Sequence, residues 1–420
     1  MSYAPSACEA LPRAPEPDST LAFLREGYLF GLNRFRRLGT DAFEARLGLR
    51  RVLYVHGAEA AAMFYAPDRF TRRGAIPPST LTLLQDFGSV QRLDGAAHRH
   101  RKAMFMRLLD VTAATRLVLE FRDEWERRLA RWTHERALVL HDEIEAILCR
   151  AACRWAGVAL AEAEADARSR DFSAMIDGAG AIGARFARGM LARYRVERWI
   201  RDEIARLRAR GEDDSPASRI AHHREPDGRP LDERVAAVEL INLLRPTVAL
   251  ARWVTFAALA LHQYPLLRPR LRAREPRLLL HVVQEVRRFY PFFPAVGGRV
   301  RVPFEWRGRR FEPGEWVMLD LYATDHDERL WHEPHRFDPD RFRRRTPGAF
   351  DLIPQGAGDY AHGHRCPGEN PGIALLMSAV DALATRIDYD VPAQDLTYPF
   401  DRLPSLPVSR FVIARVRGRR

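Results

Sequence analysis

The residues with the most concentrated chemistry lie in the loop Gln355-Gly-Ala-Gly-Asp-Tyr-Ala-His-Gly-His-Arg-Cys-Pro-Gly-Glu369. Two basic side chains, His364 and Arg365, precede a thiol that Pro367 and Gly368 close into a turn. Positive charge and turn N–H groups both favour the thiolate, the form of cysteine that ligates a metal. The glycines let the backbone come close to a flat macrocycle such as haem. A structural cysteine in a glycine-rich loop is the plainer reading of the same residues.

Other ionisable groups stand at spacings that would bring them together. Glu285 and Arg288, at i and i+3, share a helical face, which alone describes a surface ion pair worth under about 1 kcal/mol. His98 and Lys102, four apart in Asp94-Gly-Ala-Ala-His-Arg-His-Arg-Lys-Ala-Met104, could meet a pair of carboxylates. Arg101 is the alternative cation there, and a solvated basic face the plain reading. Arg245 is the least expected charge in the chain. It stands between Leu244 and Pro246, its i−4 and i+4 neighbours are Ile241 and Ala249, and no acid occurs between Glu239 and Glu275. A buried guanidinium without a counter-ion costs several kcal/mol. Three outcomes are open: the side chain snorkels to water, a tertiary acid meets it, or a ligand brings the carboxylate. Pro246 removes the N–H that would bond the Asn242 carbonyl and is expected to kink the helix.

Glu285-Val-Arg-Arg288, then Trp331-His-Glu-Pro-His-Arg-Phe-Asp-Pro-Asp-Arg-Phe342, then the Cys366 loop, in that order, resemble the cytochrome P-450 superfamily over nearly the whole chain. The resemblance implies a mainly α fold with a small β lobe and haem b as cofactor. It implies Cys366 as the proximal thiolate, Glu285, Arg288 and Arg341 as a structural network, and His98, Lys102 and His364 as partners of the haem propionates. The loop departs from the commonest family form, which has Phe seven residues and Gly four residues before the thiolate. Asp359 and His362 stand there in this chain, with Gly363 one residue late.

Oxygen-activating members of the superfamily place an acid and then an alcohol at the centre of the helix over the distal face of haem. Here the two positions are Arg245 and Pro246, followed by Thr247. This pair, with Gln91-Arg-Leu-Asp-Gly95 and Arg288-Phe-Tyr-Pro-Phe-Phe293, is similar to the bacterial fatty-acid peroxygenase branch. That resemblance implies hydrogen peroxide as oxidant, long-chain fatty acids hydroxylated at Cα or Cβ, and no obligatory redox partner. The substrate carboxylate would pair with Arg245 and move the proton that a protein acid moves elsewhere. Gln91 is expected beside that carboxylate, since the branch associates Gln there with hydroxylation and His with decarboxylation to a terminal alkene; a surface loop amide is its plain reading. Phe292 and Phe293 are expected along the acyl channel, or simply in the core. The rival readings are a redox-partner-fed monooxygenase of an acidic substrate, a lipid-hydroperoxide isomerase or lyase, and a haem sensor, for whose output module the chain leaves no length.

The elements that must hold these residues are mostly helical. Proline-rich residues 1–20 read as an irregular arm ahead of a capping signal at Asp18-Ser-Thr20, and 21–420 as one haem domain. Residues 43–55 alternate as strands, 58–290 carry helical periods broken near 74–78, 211–216 and 226–230, 293–320 read as short strands, and Ile373 to Ile387 as a helix. With 46% hydrophobic and 29% charged residues the chain can bury a large core. No run of about 18 apolar residues lacks a charge, so no membrane span is expected. Without a signal-peptide pattern, and with Cys149 and Cys153 four apart on a helical pattern, a reducing cytoplasm is the expected setting. The net charge of +12 comes almost wholly from dispersed arginines without a nucleic-acid-binding motif. Such a surface suits anionic lipid or fatty-acid carboxylates better than nucleic acid.

Overall fold

The chain, described over residues 11–419 of a computed structural model, folds as a helical body with a smaller β lobe. Residues 1–10, including Cys8 and half of the expected arm, lie outside the described residues. From Pro12 onward the arm runs along strand Ala42–Leu47: the Glu44 N–H donates to the Pro12 carbonyl and the Ala14 N–H to the Glu44 carbonyl, at 2.9 and 2.8 Å. Asp18, rather than Ser19, caps the first helix, Thr20–Glu26, its Oδ1 accepting the Thr20 N–H at 2.9 Å.

The main sheet has five strands in the order Ala42–Leu47, Arg50–Val55, Trp316–Asp320, Ala295–Val300, Phe70–Thr71. Val52-Leu-Tyr-Val55 is β-branched and aromatic and buried on both faces, so it sits inside the sheet, parallel to Trp316–Asp320 with Leu53 opposite Val317. A three-stranded sheet joins Ala137–Val139, Val412–Gly418 and Ile387–Asp390.

The helical body is organised around Glu233–Ala249 and its continuation Ala251–Gln263. Asp232 starts this helix by accepting the Arg234 and Val235 N–H groups at 2.9 and 3.2 Å. The helix is buried along its length, apart from its first turn, Pro246 and its end, because helices Leu140–Ala156, Glu162–Gly178, Ala184–Arg210, Leu278–Phe289 and Glu369–Asp381 surround it. Glu233–Gln263 is long and apolar enough to cross a membrane by length and composition, although charged residues interrupt it. Its most apolar window is 94% buried inside the protein, which is the setting of a core helix. Pro246 is carried within the helix, and the interruption comes at Leu250, whose N–H turns to the Thr247 carbonyl at 3.2 Å. Helix Glu369–Asp381 starts four residues earlier than expected, directly after the cysteine turn, and gives way to a π turn over Ala382–Arg386. Between helices Pro78–Leu84 and Gly95–Leu108 lies a loop with a single turn at Val90–Arg92, which brings Gln91 to the central helix.

Candidate active site

Gly356 and Gly358 take φ of 92° and 76°, a region that side chains disfavour, and a Cβ on Gly356 would stand 2.6 Å from the Tyr65 hydroxyl oxygen. This tight start folds the loop so that the Cys366 N–H donates to the Gln355 carbonyl at 3.0 Å, while the Gln355 amide reaches the Cys366 sulfur at 3.7 Å. The orientation of that amide follows from its neighbour: Arg287, which only donates, bonds the Gln355 oxygen at 3.0 Å, leaving Nε2 for the sulfur. Asp359 and His362, the two departures from the commonest loop, pair with each other on the surface at 2.9 Å, and Asp359 Oδ1 caps the N–H groups of Ala361 and His362.

The expected stabilisation of the thiolate does not appear in the protein alone. Burial pushes the Cys366 thiol up; the Gly368 N–H, Lys102 and the Gln355 amide oppose this without winning. Arg365 does little for the sulfur because Glu369 engages it at 2.6 Å, and Glu369 is held from the other side by Arg287, also at 2.6 Å. Metal coordination favours the ionised form of a thiol. Although set deep in the fold, Cys366 retains accessible surface, unlike the buried, unbridged Cys149 and Cys153.

His98 and His364 stack with ring centroids 3.9 Å apart, and Lys102 lies one turn on from His98, bonded to the Arg365 carbonyl. Arg72, which the sequence did not single out, completes the group, donating to the Gly297 carbonyl at 2.8 Å and lying over the Phe64 ring. None of the four makes an ion pair among the described residues. Burial first, then mutual repulsion, lowers His364 to about 2 and His98 to about 4; burial lowers Lys102 to about 8 despite the Cys366 sulfur nearby. Such a cluster gains from carboxylates that it does not possess. Arg101, the alternative cation, faces away and is consumed by Glu225 and by Glu239 at 2.8 Å.

Glu285 and Arg288 are not a surface pair. Both side chains are fully buried, 2.8 Å apart, and Arg341 joins Glu285 at 3.0 Å. Arg288 also donates to the Asp325 and Pro334 carbonyls at 2.9 Å, and Arg341 to the His332 carbonyl at 2.6 Å. The network pins the loop 325–341 to the helix that carries Arg287.

Arg245 is 5% exposed, so it does not snorkel, and no carboxylate lies within 4 Å of it among the described residues. Its guanidinium donates to the Leu83 carbonyl at 3.2 Å, to the Leu84 carbonyl and to Asn242 Oδ1 at 3.3 Å. Burial and the charge of Arg193 bring it down to about 9, while Arg193 itself is neutralised by Asp86 at 2.7 Å. Asn242 in turn donates to Gln91 Oε1 at 3.4 Å, which places Gln91 beside Arg245 through a residue the sequence reading passed over. Its position one turn before Arg245, as the only amide on that apolar stretch, was the available signal. Phe292 stacks on Trp253 with centroids 4.0 Å apart, whereas Phe293 is 43% exposed.

The cytochrome P450 sequence profile matches residues 275–380, the stretch that holds Glu285, Arg288, Arg341 and Cys366. The curated cytochrome P450 4e5, mitochondrial, of Drosophila mettleri is 28% identical over 113 residues, 27% of this chain, and the match spans about a fifth of that relative's length. Likeness to solved structures extends much further. Cytochrome P450SP alpha in complex with (R)-ibuprofen is 44% identical, covering 96% of this chain and 99% of that one, with a TM-score of 0.93. The chain belongs to the cytochrome P450 family. Cytochrome P450EX alpha with myristic acid is 39% identical, covering 98% of this chain and 100% of that one, again with a TM-score of 0.93. As a cytochrome P450 the chain takes haem b as its cofactor. Its residues suit that group: a thiol with accessible surface, an amide aimed at the sulfur, and a cluster of two cations, Arg72 and Lys102, with two imidazoles, His98 and His364, that has no acid of its own among the described residues.

Proposed function

We propose that this cytochrome P450 is a peroxygenase that uses hydrogen peroxide to hydroxylate long-chain fatty acids at Cα or Cβ, with decarboxylation to a terminal alkene as a side reaction. One observation carries the reading: Arg245 is a buried guanidinium without a counter-ion, at the position where oxygen-activating relatives hold an acid. The ligands of the two solved relatives, ibuprofen and myristic acid, are both carboxylic acids, the chemistry that would neutralise it.

When bound, haem b supplies the oxidising power of a thiolate-ligated iron. Cys366 would hold the iron, with Gln355 moderating the charge on the sulfur, and Arg72, His98, Lys102 and His364 would hold the propionates. Arg245 anchors the substrate carboxylate, which accepts a proton from hydrogen peroxide and returns it to the departing oxygen, so that the carboxylate and Arg245 act together as the general acid–base. Anchoring the acid end limits oxidation to the nearest carbons. The partner-fed monooxygenase reading lacks the acid–alcohol relay: Arg245 replaces the acid, Pro246 has no hydroxyl, and the Thr247 hydroxyl donates to the Leu243 carbonyl at 3.0 Å. Residues 21–420 act as one haem domain, Phe292 and Phe293 border the acyl chain, and the arginine-rich surface meets anionic lipid.

The test is incubation of the haem-loaded protein with hydrogen peroxide and hexadecanoic acid in the absence of any reductase. Hydroxy acid is the expected product. A strict need for an electron-donating partner would return the chain to the monooxygenases.

A further inference from the structure

We infer that Asn242 is a positioning residue that fixes which way the Gln91 amide faces, and that it thereby aims the Gln91 N–H at the substrate carboxylate. The inference rests on the proposed fatty-acid site and adds to it a residue that touches neither substrate nor haem.

The orientation follows from donor and acceptor chemistry. A guanidinium can only donate. Arg245 Nη1 stands 3.3 Å from one side-chain atom of Asn242, so that atom has to be the oxygen, and the Asn242 nitrogen has to point the other way. That nitrogen lies 3.4 Å from one side-chain atom of Gln91, which must then be the Gln91 oxygen. Gln91 Nε2 is left with both hydrogens and no acceptor among the described residues, beside a guanidinium that lacks a carboxylate. The same Asn242 nitrogen also lies 3.2 Å from the Gln85 carbonyl and 3.4 Å from Glu239 Oε2, so its two hydrogens are shared among three acceptors, all of them oxygens. Glu239 also accepts the Val90 N–H at 2.7 Å, so the turn carrying Gln91 is tied to the central helix by backbone and side chain alike. Glu239, Asn242 and Arg245 follow at intervals of three along one helix, which is why a single helical face can hold the turn, the amide and the cation.

Without Asn242 the Gln91 amide has two orientations of similar energy, one of which presents oxygen to the carboxylate and repels it. The experiment is a double-mutant cycle on the equilibrium binding of hexadecanoic acid to the haem-loaded protein, measured by dialysis with labelled acid. Asn242→Leu is expected to weaken binding about five- to tenfold in the parent and less than twofold when Gln91 is already Ala. Equal losses in both backgrounds, with binding intact in the parent, would overturn the positioning role and leave the fatty-acid site standing. A parent that does not bind the acid overturns both. Asn242→Asp keeps the shape in case the leucine variant does not fold. It has no N–H for Gln91 and offers Arg245 an internal carboxylate, so it is expected to weaken binding more than tenfold, and unchanged binding refutes the assignment.

Discussion

At the scale of the residue, Arg245 is the position where burial and missing charge compensation meet. Its bonds to two carbonyls and an amide occupy three of its five N–H groups and leave its charge unmatched. Arg245→Ala is expected to leave haem bound and to weaken fatty-acid binding by about 2 to 5 kcal/mol, the range for one lost, desolvated charge contact. Hydroxy-acid yield with peroxide alone, compared between parent and variant, checks this, and equal yields would remove Arg245 from the mechanism. Gln91 makes a finer prediction. Replacing it with His is expected to raise the proportion of terminal alkene over hydroxy acid, because the imidazole changes what the carboxylate meets while Arg245 still holds it. Product analysis with an unchanged ratio would count against placing Gln91 at the carboxylate.

At the scale of the element, Glu285 ties helix Leu278–Phe289 to the loop that precedes the cysteine turn. It receives Arg288, Arg341 and the Asp338 N–H, all within 3.1 Å, and no part of its side chain meets solvent. Removing one member of a buried pair leaves the other charge uncompensated at a cost of about 3 to 5 kcal/mol. Glu285→Ala is therefore expected to lower the denaturation midpoint sharply and to reduce haem retention, since Arg287 on the same helix also positions Gln355 and Glu369. A variant as stable as the parent would show that the two arginines find other partners. The central helix illustrates the converse case: Pro246 is tolerated because the tight surroundings hold the backbone in helical form and the irregularity is taken up at Leu250, where the next N–H bonds one residue nearer.

At the scale of the whole molecule, charge and burial set how stability responds to pH. His223 lies beside Arg101, His100 and Arg107, and burial with these cations lowers it to about 4 from an ordinary value of 6.5. Above 6.5 neither folded nor unfolded protein protonates it. As the pH falls from 6.5 toward 4 the unfolded chain takes a proton that the folded protein refuses, so this group's effect is a loss of stability across that interval. His223→Gln is expected to flatten the fall of the denaturant midpoint between pH 7 and pH 4.5 relative to the parent. Parallel curves for the two proteins would show that His223 is protonated in the fold.

By itself the sequence determined the cysteine turn, the Glu285–Arg288 spacing and the solitary Arg245, because each depends on neighbours a few residues away: a turn, one helical step, an apolar stretch without an acid. The helical body and the strands at 43–55 were legible for the same reason, from local period and turn chemistry. Only the tertiary structure decided where charges end. Arg365 looked like a partner for the thiolate until the fold gave it Glu369, and Arg101 and Lys102 were interchangeable in sequence until Glu239, on a distant helix, claimed Arg101. Arg72 entered the cation cluster from a strand-end far upstream, and Asn242 became the link between Gln91 and Arg245 only when the loop after Leu84 was laid against its helix. The direction of the thiol's shift changed sign for the same cause. Burial is a property of the surrounding fold, and it outweighs the local charges that the sequence makes visible.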